Sequence, residues 1–358
     1  MTKTIHAAAG TKTTRKRGLS RVTGGGLARA YASKGNKSKQ RTFLYRSAKN
    51  NRKPLRRKGS GRRQRKVLTP AVTLPSVQER TTEKAYAQGL YDGGDRIAEQ
   101  HLPPFHILGD ISIEQIVTAG VQTFYPHMHK VAEPAQIAEE LRAAMDEHRP
   151  YAIVRLGDGE LLTMAQDVLM PAHDVLKAGP FLAYAGVAIP DSSARELLVQ
   201  AVSQADRVGI PQSRHPHFQK LMFPVFRAHH LDFRSMPLTL STINYQLYEM
   251  GLLLPLLTGR RVLLVGDAAP DLAVKLVEHH GIAVTGTVSP VNGMRDMDRV
   301  MGEIAGFQYD IALVSAGVPA VVIVSRIARE LGKVALDFGH MADYIAYGKQ
   351  PDRGEGTL

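Results

Sequence analysis

Downstream of about residue 110, the chain alternates between apolar residues at helical spacing and short continuous apolar runs. Spacings of three and four residues predict one face of a helix after Pro134. That face consists of Ile137, Ala138, Leu141, Ala144 and Met145. Runs rich in Val and Ile predict six strands, at residues 151–156, 207–210, 262–265, 282–288, 311–314 and 334–338.

Helices fit between these strands. We predict helices at residues 271–280 and 320–331, with Gly281 and Gly332 as their left-handed C-terminal caps. Ser193 and Glu196 form a predicted capping box before another amphipathic stretch. Alternating strands and helices of this length indicate an α/β fold, a parallel sheet with helices on both faces.

The N-terminal segment has a different composition. Residues 1–70 contain 22 Lys and Arg and no acid, and the first acidic residue is Glu79. The remainder carries 24 basic against 33 acidic residues, so a cationic segment precedes a mildly acidic body. With so little to bury, residues 1–70 are predicted to be a disordered tail. It is either a solvated tail or a binder of polyanions, meaning nucleic acid or an anionic membrane surface.

Residues 71–109 are predicted to be a linker with a connector helix. Ser76 is its predicted cap, and Tyr86, Leu90 and Ile97 lie near helical spacing. This helix is expected either to pack on the body or to self-associate, which makes a homo-oligomer one expectation for the chain.

Composition narrows the chemistry. The chain has no Cys, which excludes disulfides and thiolate zinc sites. The three histidine pairs His215/His217, His229/His230 and His279/His280 fit no familiar zinc spacing, and these six residues are predicted to be structural or surface residues. No secretory pattern and no run of 18 apolar residues is found, so we expect a cytoplasmic protein, peripheral at most to the inner face of the membrane.

The most informative turn follows the strand at residues 151–156. Asp158 and Glu160 are two residues apart between glycines, with Arg155 and Gly157 just before them. Hard carboxylate oxygens on a close backbone turn suit Mg²⁺ or Mn²⁺, and Arg155 suits a phosphate. The alternative is an ordinary turn in which Glu160 opens a helix and complements its dipole.

Three further strand ends have the glycine turns of a nucleotide pocket. Gly266 and Asp267 follow the third predicted strand of the body, and Ser315 and Gly317 follow the fifth. The last strand ends in Asp337, shortly before His340. Each turn alone is ordinary, but three at one sheet edge favour a nucleotide site.

The same residues resemble a known family. The heptad 155–161 resembles the Arg-x-Gly-Asp-Gly-Glu-Phe motif of GT-D-fold glycosyltransferases. Residues 309–319 resemble that family's strand and Gly-Pro-Thr turn, and residues 336–340 resemble its Asp-Ile-Gly-His segment; the likeness covers about 135–345. Val318 and Pro319 depart from Gly-Pro-Thr, and Gly266-Asp267 departs from the more usual Glu-Gly. The basic segment and connector resemble firmicute members of the family.

The resemblance implies a Rossmann-like GT-D domain over residues 110–350. It implies transfer of a sugar from a nucleotide sugar, UDP-linked, to a glycan or glycoprotein acceptor. Asp158 and Glu160 are the implied ligands of Mn²⁺ or Mg²⁺. The candidate donor contacts are Arg155, Gly157, Arg214, Asn244, Gly266, Asp267, Ser315 and Gly317. Asp337 and His340 are the candidate general bases.

Two other functions fit parts of the pattern. The basic segment favours a nucleic-acid or anionic-surface binding protein whose α/β body is not catalytic. A methyltransferase would use the turn after residues 262–265, but it needs an acid at the end of the next strand to hold ribose. Ser289 and Pro290 occupy that place, which argues against the methyltransferase.

Overall fold

The computed structural model describes residues 77–348. The chain divides into two units, Met1–Thr82 and Glu83–Leu358, and only the last six residues of the first are described. The predicted disordered tail and the predicted cap at Ser76 lie outside the described residues. The predicted domain limits therefore stay predictions.

Within residues 77–348 the chain forms seven strands, fourteen α-helices and two short 3₁₀ helices, Tyr125–His127 and Met294–Asp296. The strands are β1 (Tyr151–Arg155), β2 (Arg207–Ile210), β3 (Leu238–Leu240), β4 (Arg261–Gly266), β5 (Ala283–Val288), β6 (Ile311–Ser315) and β7 (Val334–Asp337). The helices are α1 (Val77–Gly93), α2 (Asp95–Glu99), α3 (Ile113–Phe124), α4 (Pro134–Asp146), α5 (Asp158–Ala165), α6 (Ala172–Ala178), α7 (Ser192–Gln204), α8 (Gln219–Ala228), α9 (Ile243–Glu249), α10 (Leu253–Leu257), α11 (Ala269–His280), α12 (Met297–Ala305), α13 (Pro319–Leu331) and α14 (Met341–Tyr347). No helix of this described part is both long and apolar enough to cross a bilayer.

The seven strands form one sheet in the order β3-β2-β1-β7-β6-β4-β5, and every pairing is parallel. This confirms the predicted α/β fold with a parallel sheet. All six predicted strands are present within one or two residues of their predicted bounds. The short edge strand β3 was not predicted, because three residues give too little periodicity to detect.

Helices cover both faces of the sheet. One core cluster contains apolar residues of α5, α7, α8, α12 and α13, and a second contains those of α4, α9, α10, α11 and α14. The helices that follow β1 and β6 therefore pack on one face of the sheet. Strand β7 lies between these two strands, and the helix that follows it packs on the other face. Ligand-binding crevices generally form where neighbouring strands send their chains to opposite faces, so the carboxyl ends of β1, β7 and β6 are the expected place for one.

The local predictions are confirmed at most elements. All five apolar residues of the predicted face of α4 are buried, and Gly281 and Gly332 cap α11 and α13 in the left-handed conformation. The capping box was wrong: α7 begins at Ser192, and the Asp191 carboxylate accepts the Ala194 N–H. An aspartate one position before the serine pair can reach that N–H, which displaces serine as the cap. The connector is two helices rather than one, because the chain breaks at Gly94.

Candidate functional site

The predicted site residues follow strands that are neighbours in the sheet. Each of five neighbouring strands has one predicted site residue at or just after its carboxyl end. In their order across the sheet, these are Arg214 after β2, Asp158 after β1, Asp337 at the end of β7, Ser315 at the end of β6 and Gly266 at the end of β4. All of these strands are parallel, so the five turns lie along one edge. Tertiary structure thus brings together residues up to 182 positions apart in the chain.

The Asp158–Glu160 turn opens helix α5. The Glu160 carboxylate folds back and accepts the Gly157 N–H at 2.7 Å, while Asp158 Oδ1 accepts the Gly159 N–H at 2.9 Å. Both acids thus lie in the first turn, where negative charge complements the helix dipole. The alternative interpretation of this sequence, an acid that caps its own helix, is structurally correct for Glu160. These two bonds engage Oε2 of Glu160 and Oδ1 of Asp158.

A buried ion pair joins β1 to β7. Arg155 Nη2 donates to Asp337 Oδ1 at 2.9 Å, its Nε donates to the Asp337 carbonyl at 2.8 Å, and its backbone N–H donates to Asp337 Oδ2 at 3.2 Å. The side chains are 16% and 5% exposed. Arg155 Nη1 donates to the Ser241 carbonyl and to Asn244 Oδ1. All three guanidinium nitrogens of Arg155 therefore donate hydrogen bonds to other residues of the chain, and the main partner is Asp337.

Burial and crowded charge shift the carboxyl groups at this point. Burial, followed by the nearby charge of Asp337, raises the pKa of Glu160 to about 7, against the opposing effects of backbone hydrogen bonds and of Arg155. Burial also raises the pKa of Asp337, and the Arg155 charge opposes that rise. Two carboxyl groups with raised pKa values at one sheet edge are typical of functional sites, where burial and neighbouring like charges shift the ionisation of the side chains.

Gly339 allows the ion pair to form. It has a φ of +50°, and a Cβ there would overlap Arg155 Nη2. Asn244 supports the same turn from beneath: it is fully buried and its Nδ2 donates to the Phe338 carbonyl at 2.7 Å. His340 comes next, exposed at the start of α14, and its charge acts on Asp337. The glycine and the amide fix Asp337, whereas the imidazole faces solvent.

The turns after β4 and β6 pack against each other. Gly266 has a φ of +127°, and a Cβ there would overlap the Ser315 carbonyl. Gly317, with a φ of +60°, lies against the Ala185 carbonyl, which a Cβ would approach to 2.6 Å. Ser315 Oγ is buried and has no hydrogen-bond partner among the described residues. A buried hydroxyl without a partner is costly, so this atom is a strong candidate for contact with a ligand.

The remaining predicted residues are less central. Arg214 is exposed after β2 and donates to Gln219 Oε1 at 3.2 Å. Asp267 Oδ1 accepts the Val291 N–H at 3.0 Å and so ties the turn after β4 to the loop after β5. Sequence reasoning missed the contact of Gly186 with Gly293, where a Cβ at Gly186 would lie 2.9 Å from the Gly293 Cα. Two distant glycines in loops give no sequence signal that they meet.

These features define an α/β protein with a candidate site of acidic and glycine-rich turns at the carboxyl edge of a parallel sheet. The model of the GT-D-like family, described as a GT-D fold-like domain, matches residues 132–345. The chain therefore belongs to the GT-D-like family, and its fold is of the glycosyltransferase type.

Two solved structures are similar to the chain. One, described as a domain of unknown function 1792 with a distinct glycosyltransferase fold, is 15% identical, with 61% of this chain and 82% of that chain covered and a TM-score of 0.43. The other is a selenomethionine-substituted structure of domain of unknown function 1792, at 16% identity, the same coverage and a TM-score of 0.41. Among curated proteins, none is similar enough to match.

Proposed function

We propose that this protein is a metal-dependent glycosyltransferase that moves a sugar from a nucleotide sugar, with UDP as the nucleotide, to a glycan or glycoprotein acceptor. One observation supports this most: the Asp158–Glu160 turn of a GT-D-like family member adjoins the buried Arg155–Asp337 pair, and both carboxyl groups of Glu160 and Asp337 have raised pKa values. Membership of the family supports the reaction type, and the carboxylates of the turn are of the kind that suits a divalent cation.

The donor set fits Mg²⁺ or Mn²⁺ of the kind that binds together with phosphate. No group of three or more His, Asp or Glu able to hold a metal occurs among residues 77–348. Mg²⁺ is commonly held by one or two carboxylates, with substrate phosphates and water completing the shell. Asp158 and Glu160 would be those carboxylates. When bound, the ion would neutralise charge on the departing diphosphate.

The other residues have roles that their contacts favour. Arg155 and Asn244 position Asp337, and the Ser315 hydroxyl donates to a diphosphate oxygen beside Gly266 and Gly317. In the reaction, the bond from the anomeric carbon to the diphosphate breaks and a bond to the acceptor oxygen forms. The acceptor proton passes to a base. We assign His340 to that step, because it is exposed while Asp337 is held by Arg155.

The test is the substitution Asp158→Asn, which preserves shape and removes one charge. Mn²⁺-dependent hydrolysis of UDP-sugars by the full chain should fall about a hundredfold or more, as for loss of a main electrostatic contribution. Binding of Mn²⁺ in the presence of UDP, measured by titration calorimetry, should weaken in parallel. Asp174→Asn, a half-exposed acid in the first turn of α6, is the matched control. Unchanged turnover in Asp158→Asn, or turnover indifferent to chelator, would remove the proposal.

A further inference from the structure

A surface cavity lies between helices α9, α11 and α14. Its volume is about 350 Å³, within the range of about 300–1,000 Å³ that small-ligand sites occupy. Its lining comes from Tyr248 of α9, from the C-terminal half of α11, and from the end of α14 with its cap Gly348. Both α11 and α14 begin at the carboxyl edge of the sheet, where the candidate site lies, so the cavity at their C-terminal ends is a separate place on the molecule.

The cavity is lined by basic residues. Lys275, His279 and His280 line it, and no Asp or Glu of the described residues does. Two acids of α11 are engaged elsewhere: Asp271 accepts a tyrosine hydroxyl of α14 at 2.6 Å, and Glu278 lines a groove beside β5. The cavity therefore presents an excess of positive charge to a ligand.

The same side chains have hydrogen-bonding capacity to spare. Within residues 77–348, the side chains of Lys275, His279 and His280 have no hydrogen-bond or ion-pair partner. An ammonium group has three donors and no acceptor, and an imidazole has at least one N–H donor in either charge state. Histidines in the last turn of a helix also complement its dipole, but Lys275 lies one turn earlier, where that effect has faded. A ligand with several negatively charged oxygens therefore matches the lining.

Two aromatic rings and an aliphatic side chain complete the lining. The rings of Tyr248 and Tyr344 meet edge to face, with their centroids 5.9 Å apart. Together with Ile345 they are partly buried and pack against the second core cluster, which fixes their positions. Each tyrosine presents an apolar ring and a hydroxyl that can donate a hydrogen bond. The cavity therefore suits an anion that is carried on an organic group.

We propose that this cavity binds a phosphate monoester, with the phosphate held by Lys275, His279 and His280 and the organic group packed against the tyrosines. A phosphate monoester carries a charge of about −1.5 to −2 at pH 7 and has three strong acceptor oxygens. A carboxylate has one charge and two oxygens, which leaves part of this donor set unused. Lysine is a common point-charge partner of phosphate. Such a site adds to the proposed transfer reaction and does not depend on it.

Titration calorimetry with phenyl phosphate tests the proposal. The wild-type protein should bind it with a dissociation constant of about 1 mM or below, and should bind inorganic phosphate more weakly, because inorganic phosphate has no ring to pack on the tyrosines. Lys275→Gln with His279→Gln should weaken binding by about tenfold or more, since two charge-assisted hydrogen bonds are lost. His173→Gln with Lys177→Gln removes the same residue types, at the same four-residue spacing, from exposed positions of α6 and should leave binding unchanged.

The candidate site must be separated from this cavity, because it too is proposed to bind phosphate. Ser315→Ala, in the candidate diphosphate site, should keep full binding of phenyl phosphate. Three results would overturn the proposal: no binding at about 10 mM phenyl phosphate, equal weakening by the two paired variants, or binding that is lost in Ser315→Ala and kept in Lys275→Gln with His279→Gln. The urea-unfolding midpoints of the paired variants should match that of the wild type, because these side chains lie at the surface, and this verifies that a change in affinity is local.

Discussion

Glu160→Gln tests whether the candidate site stores unfavourable free energy. The pKa of Glu160 is raised from 4.5 to about 7, first by burial and then by the charge of Asp337. The folded protein therefore holds this proton more tightly than the unfolded chain. Its stabilising contribution is fully present below pH 4.5 and is lost as the pH rises through 7. A shift of this size corresponds to about 3 kcal/mol of unfolding free energy.

The glutamine cannot ionise, and its amide oxygen can still accept the Gly157 N–H. In urea unfolding without metal, wild-type stability should fall by about 3 kcal/mol more than that of Glu160→Gln between pH 4.5 and 8. At pH 8 the variant should be the more stable protein, as expected when a functional group is traded for stability. Glu196→Gln, whose carboxylate is 74% exposed, is the control.

Metal sharpens the same experiment. If Glu160 is a ligand, Mn²⁺ at pH 8 should stabilise the wild type, by about 2.7 kcal/mol at a hundredfold excess over the dissociation constant, and should leave Glu160→Gln unaffected. A wild-type curve that is flat from pH 5 to 8 would refute the burial and charge argument. A variant that falls with pH just as the wild type does would refute the assignment to Glu160.

Two other substitutions test how the fold is held. Gly339→Ala should destabilise the protein by about 2–4 kcal/mol in urea unfolding, since its methyl group would overlap a buried guanidinium. The control is Gly332→Ala, which has a similar positive φ but faces open space and should cost only about 1–2 kcal/mol. Equal losses of stability in the two variants would contradict the clash. Burial opposes the ionisation of Glu140, but hydrogen bonds led by that from Arg207 lower its pKa to about 2. Glu140→Gln should therefore lower the free energy of unfolding by about 3 kcal/mol at pH 7, and this difference from wild type should disappear as the pH falls from 4.5 to 2. The control, Glu139→Gln at an exposed position, should change stability little. A loss of stability in Glu140→Gln that does not depend on pH would contradict the pKa argument.

Much of the fold could be predicted from local pattern. Local pattern predicted the apolar face of α4, the strand bounds and the C-terminal glycines of α11 and α13, because periodicity and left-handed caps depend on only a few consecutive residues. The glycosyltransferase-type family was also recognisable from the heptad at residues 155–161. Errors occurred where local signals compete, as at Asp191, which caps α7 in place of the predicted serine.

The sequence by itself determined which turns carry carboxylates and glycines, because residue chemistry and strand ends are local properties. Only the tertiary structure decided which of them meet. The order β1-β7-β6 places Asp337 beside Arg155, so that an arginine predicted to hold phosphate pairs with an acid 182 residues away. Burial then shifts the pKa of Glu160, a quantity that depends on the surrounding low dielectric and on a neighbour from another strand. No periodicity in the chain encodes how close these side chains lie to one another, since their separation follows from the packing of the whole sheet.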